Sequence, residues 1–145
     1  MSTTTPGQPA FEDLMAEVMA DAERFGHREH VRLTWLAVRR CGVPGAVDLV
    51  GNGIRRTAAR AGVPEKFHAT MTRAWVELVG HHAAADPRDD FAAFAEANPD
   101  LLDKDLLTRF YREETLAGAP AKSRWIAPDR AAFPWERGGA VSDRG

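Results

Sequence analysis

From Phe11 onward, apolar residues return every three or four positions, which is the period of one helix face. Phe11, Leu14, Met15, Val18, Met19 and Ala22 make the first stripe, and Val31, Trp35 and Val38 the second. Val47, Val50, Ile54 and Ala58 make a third, and Met71, Trp75 and Val79 a fourth. No run alternates in the period of two that a half-buried strand requires, and no hairpin signal separates such runs. The stripes predict an all-α, single-domain bundle of about five to six helices, followed by an extended C-terminal tail. No internal repeat is visible.

Glycine and proline divide the stripes. Gly26 separates a first helix, beginning at Phe11, from a second that ends at Arg40 before Gly42 and Pro44. A third helix is expected over Ala46–Ala61, and Gly62-Val63-Pro64 leads into a fourth over Glu65–Ala84. Gly51 and Gly53 lie inside the third, where each costs about 1 kcal/mol relative to alanine. Small residues there leave room for close approach of another helix or a ligand. Asp86-Pro87 is expected to cap a short helix bearing Phe91, Phe94 and Ala95. A further segment from Asn98-Pro99 to Gly118 offers Leu102, Leu106, Leu107 and Phe110 as its apolar face. Residues 1–9 read as a disordered tail, 10–135 as the helical domain and 136–145 as a flexible C-terminus. The last stretch is anchored by Trp125, Ile126, Phe133 and Trp135.

At 145 residues the chain is long enough to bury a core without staples. Its net charge of −2 argues against nucleic acid, which calls for a basic face, so Arg39-Arg40 and Arg55-Arg56 read as solvated helix surface. A single cysteine, Cys41, excludes an internal disulfide and disfavours a thiolate metal site. No secretory signal is read at the start, and no stretch approaches the roughly 20 apolar residues of a membrane span. A cytoplasmic location is therefore expected. Abundant Ala, Arg, Asp and Gly with few Lys fit a GC-rich bacterial source.

His27 and His30 stand three apart near the start of the second helix, so their side chains are neighbours. His68 stands near the start of the fourth, on the face of Met71, Thr72, Trp75, Val79 and His82. The positive end of a helix dipole disfavours an imidazolium, so neutral rings are expected. Neutral imidazole is the form that accepts a proton or ligates a metal. Three readings stay open. The rings are satisfied structural groups, or they share an acid–base or ligand-binding pocket, or they hold a mononuclear zinc or iron.

Thr70 and Thr72 could orient His68 or bond a substrate, and Trp35 and Trp75 could wall the pocket. Lys66 and Arg73 could receive an anionic group. No phosphate loop, nucleophile elbow, dinucleotide fingerprint or H-E-x-x-H run is present.

The run Phe25-Gly26-His27-Arg28-Glu29-His30-Val31-Arg32-Leu33-Thr34-Trp35, followed by Lys66-Phe67-His68-Ala69-Thr70-Met71-Thr72, resembles a family of short bacterial proteins, mostly uncharacterised. Their pattern is F-x-H-R-x-H…W, then K-[YF]-H-x-T-x-T. Asn98-Pro99-Asp100-Leu101-Leu102, Arg109-Phe110-Tyr111 and Trp125-Ile126-Ala127-Pro128-Asp129 match as well, so the likeness covers about residues 11 to 130. Many relatives carry Glu where this chain has Ala69. Such proteins are associated with natural-product gene clusters and with cyclisation of the Pictet–Spengler type.

The inward-facing histidines, taken with this association, lead to the expectation of a small helical enzyme of bacterial secondary metabolism that uses them for acid–base or substrate-orienting chemistry in a condensation or cyclisation. His27, His30, His68 and Thr72 would be its catalytic groups, and Trp35, Trp75, Lys66 and Thr70 would bind substrate. This reading needs no cofactor. One alternative gives the three histidines a metal; another makes the chain a non-enzymatic accessory that stabilises a biosynthetic partner. The expected partners are a small organic substrate and either a second copy of the chain or a partner enzyme, with neither nucleic acid nor membrane.

Overall fold

The computed structural model describes residues 10–136. Within them the chain is all-α, with no strand. The α-helices are α1 (Phe11–Met19), α2 (His27–Arg60), α3 (Ala69–Ala85), α4 (Phe91–Ala97), α5 (Glu113–Ala117) and α6 (Ala119–Ser123). Three 3₁₀ turns interleave with them, at Pro64–Lys66, Pro99–Leu102 and Leu106–Arg109. The expectations for residues 1–9, and for the segment beyond Glu136, lie outside the described residues.

The two helices expected on either side of Gly42 are found as two limbs of α2, joined at a break. Gly42 has φ 75° and ψ 171°, a conformation far from helical that side-chain-bearing residues avoid. Pro44 then opens the second limb, where its missing N–H would have had no partner. α2 packs against both α3 and α1. The α1 contact explains Gly53: a Cβ there would overlap the Phe11 ring, so only glycine allows the helix to come this close. Gly51 faces open space instead.

Three boundaries differ from expectation, each because a side chain competes for the backbone. The fourth helix does not begin at Glu65. Pro64–Lys66 forms a 3₁₀ turn, and His68 is the N-cap of α3, its ring accepting the Met71 N–H at 3.1 Å. The short α4 is capped by Asp90 rather than Asp86-Pro87; the Asp90 carboxylate accepts the Ala93 N–H at 3.2 Å. From Asn98 to Gly118 the chain turns repeatedly, because Asp103 accepts the Asp105 N–H at 2.9 Å and closes an Asx turn.

The core contains Leu14, Val50, Trp35, Trp75, Phe94, Tyr111 and Phe133, all buried. The C-terminal segment lies across the helices through named bonds. The Thr70 hydroxyl donates to the Arg124 carbonyl at 2.7 Å and accepts the Ile126 N–H at 3.0 Å. The Tyr111 hydroxyl donates to the Ile126 carbonyl at 2.7 Å. Phe133 stacks on Trp135 with centroids 4.7 Å apart. Among the described residues no helix is long and apolar enough to cross a membrane.

Candidate functional site

The three motif histidines occupy three different environments. His27 is the first residue of α2, and the cap before it is tightened by Glu29, whose carboxylate accepts the Gly26 N–H at 2.9 Å. Its Nε2 lies 2.9 Å from the Leu101 carbonyl. A carbonyl can only accept, so Nε2 carries the hydrogen and donates. The ring meets the Trp75 indole edge-to-face at 4.8 Å. A fully buried 3₁₀ residue, Leu101, thus anchors His27 from the far side of the chain.

His68 is engaged at both nitrogens. Nδ1 accepts the Met71 N–H, and Nε2–H donates to the Leu116 carbonyl at 2.7 Å. It caps α3 and ties it to α5. Both of its hydrogen-bonding capacities serve the backbone, so the ring has none left for a substrate.

His30 differs from both. It is half-buried one turn into α2, with the Phe25 ring edge-on at 6.3 Å. Among the described residues its imidazole has no hydrogen-bond partner. Burial, and secondarily the neighbouring His27, lowers its pKa to about 4. The expected neutral imidazole is therefore found here, but its first cause is desolvation rather than the helix dipole.

Among the described residues no three His, Cys, Asp or Glu lie close enough to hold a metal ion. His27, His30 and His68 therefore do not form the three-ligand cluster that the metal reading requires. The remaining candidates also scatter. Thr70 is fully buried, and its hydroxyl holds the C-terminal segment rather than His68. Thr72 is buried in the wall of a groove of about 190 Å³, with Phe67, Trp125 and Arg73 among its neighbours. Arg73 is paired with Glu77 at 2.5 Å and lies 4.2 Å from the Trp125 ring centre. Lys66 is exposed on its 3₁₀ turn. Trp75 meets His27, whereas Trp35 stacks on Phe94 at 5.8 Å and meets Phe91 at a tilt, with centroids 5.5 Å apart.

Arg39-Arg40, expected as solvated helix surface, instead borders a groove. α1, the first limb of α2 and the start of α4 enclose a groove of about 560 Å³, lined by Arg28, Arg32, Trp35 and Arg39. These four stand at intervals of four, three and four, so they share one helix face. Arg32 pairs with Asp21 at 3.4 Å, and the adjacent Arg40 with Glu17 at 2.9 Å. Arg28 and Arg39 lie over the Phe91 and Trp35 rings, at 5.1 and 4.9 Å from the ring centres. The arginine spacing was visible in the sequence; the aromatic floor and opposing helices were not.

Phe25, at 40% exposure, is the only large hydrophobic residue exposed among the described residues, and Trp125 and Trp135 pack against Phe133. No protein-family profile, curated protein or solved structure matches this chain.

Proposed function

We propose that the chain is a small helical enzyme of bacterial secondary metabolism, with His30 as its proton-transfer group in a condensation or cyclisation. One observation carries this reading. Of the three motif histidines, His27 and His68 each donate to a backbone carbonyl, and His30 alone among the described residues keeps an unengaged ring. Its ring nitrogens are not among the buried side-chain atoms that lack a partner, so they reach solvent, where a proton can be exchanged.

The low pKa suits a particular kind of step. A weak base cannot remove a proton from an ordinary carbon acid, but it can take one from a cationic intermediate, which is far more acidic. In a Pictet–Spengler-type closure, the new carbon–carbon bond leaves a positive charge on the aromatic ring. Moving the proton from the attacked carbon to the His30 nitrogen restores aromaticity. Burial and His27 destabilise the resulting imidazolium, so the proton passes on to water and the ring resets. His27 positions this site, held by Leu101 and Trp75, and His68 acts as the structural cap of α3.

The test is conversion of a metabolite in an extract of the source organism, followed by mass spectrometry. Wild-type protein should deplete one species and produce another. His30→Gln should abolish conversion with the helical circular dichroism unchanged, whereas His68→Asn, which retains a capping side chain, should keep it. Full activity in His30→Gln would remove His30 from the mechanism. An extract unchanged by the wild type would refute the enzyme itself.

A further inference from the structure

The groove lined by Arg28, Arg32, Trp35 and Arg39 stands apart from the histidine reading. Successive helical residues advance by about 100°, which puts His30 on the opposite side of α2 from Arg28. The groove volume, about 560 Å³, falls in the range of small-molecule sites.

Its wall carries more donors than the protein answers. Arg32 and Arg40 have carboxylate partners, but Arg28 and Arg39 have none among the described residues. Each instead lies over an aromatic ring, and the Phe91 and Trp35 rings are themselves 5.5 Å apart. A stacked guanidinium keeps its N–H edge free for two parallel bonds to an oxyanion. Arg39 is further oriented by a 2.8 Å bond to the Arg88 carbonyl. Beneath them, Trp35 is only 3% exposed, and its indole N–H has no acceptor; neither does the buried Nε–H of Arg32.

The acids around the groove are mostly engaged. Glu17 and Asp21 hold Arg40 and Arg32, and Asp90 caps α4. Asp89 alone faces the groove without a partner among the described residues. A group that only accepts hydrogen bonds is the complement to such a wall. We infer that the groove binds a small organic anion, whose carboxylate or phosphate takes the guanidinium edges of Arg28 and Arg39.

Sodium benzoate and sodium phosphate, titrated at constant ionic strength against chloride, test this and separate the two anion sources. The readouts are the Trp35 indole N–H and the arginine Nε–H resonances. Saturable shifts are expected with one probe or both, tighter benzoate marking a carboxylate site and tighter phosphate a phosphate site. Arg28→Gln/Arg39→Gln should weaken binding about tenfold or more, since each lost charged pair removes a strong bond. Arg28→Lys/Arg39→Lys, which keeps the charge without the fork, should lie between. Arg56→Gln, on a distant exposed pair with Glu12, should bind like the wild type. Shifts that never saturate, or that persist undiminished in the glutamine variant, would overturn the assignment. Because His30 is untouched throughout, loss of this site leaves the acid–base reading intact, and the reverse also holds.

Discussion

Replacing His30 by glutamine should remove a specific acid sensitivity from the fold. In the native chain the His30 pKa is about 4, against 6.5 for an ordinary histidine. Between those values the unfolded chain binds a proton that the folded chain refuses. The unfolded state then binds more protons, so stability rises with pH and falls as acid is added through the window from 6.5 to 4. The loss amounts to roughly 2 kcal/mol at pH 5 and roughly 3 kcal/mol at pH 4. Against a typical domain stability of about 5–15 kcal/mol, that is a large share. Urea unfolding followed by circular dichroism at stepped pH gives the wild-type curve. His30→Gln gives the same curve without this titration.

The difference between the two curves isolates His30, because contributions common to both cancel. Among these is Asp129, whose carboxyl is held below the usual range by the Thr115 hydroxyl and the Arg112 N–H and also loses its contribution in acid. The wild-type-minus-variant difference should slope toward destabilisation as pH falls below 6.5. A flat difference would show that burial does not hold this ring neutral, and the physical basis of its proposed role would go with it. Because His27 is the second cause of the shift, His27→Gln should move the midpoint of the window upward.

Two glycines two residues apart, on roughly opposite sides of α2, should respond oppositely to alanine. Gly51→Ala, pointing into open space, should stabilise the second limb of α2 by about 0.5–1 kcal/mol, whereas Gly53→Ala should destabilise it, because its Cβ overlaps Phe11; thermal melts of both variants check this. Thr70→Val removes the acceptor of the Ile126 N–H and the donor to the Arg124 carbonyl. It should cost about 1–3 kcal/mol and expose the chain near Arg124 to limited proteolysis, and unchanged protease resistance would show that Thr70 is not the clamp.

The helix stripes were legible because a buried helix face needs apolar side chains every three or four residues, and Phe11, Val31, Trp75 and Phe94 obey that spacing. The break at Gly42 was legible for an equally local reason, since only glycine readily takes its backbone angles. Boundaries set by a side chain's choice of partner were not. His68 reads as a residue inside a helix until its ring is seen accepting the Met71 N–H. Asp90 likewise looks no better a cap than Asp86.

The site divides along the same line. That His27, His30 and His68 sit near helix starts follows from their positions in the sequence. Which ring stays unengaged depends on carbonyls of Leu101 and Leu116, 74 and 48 residues away from the histidines they hold. Arg28, Arg32 and Arg39 share a face by helical period alone, yet the groove exists only because α1 and α4 close its sides and Phe91 completes its floor. The helices and their faces follow from the order of residues, because short-range periodicity and backbone sterics are local. The partners, and with them which polar groups are satisfied and which stay free, come from the packed fold, because hydrogen bonds and burial join residues distant in the chain.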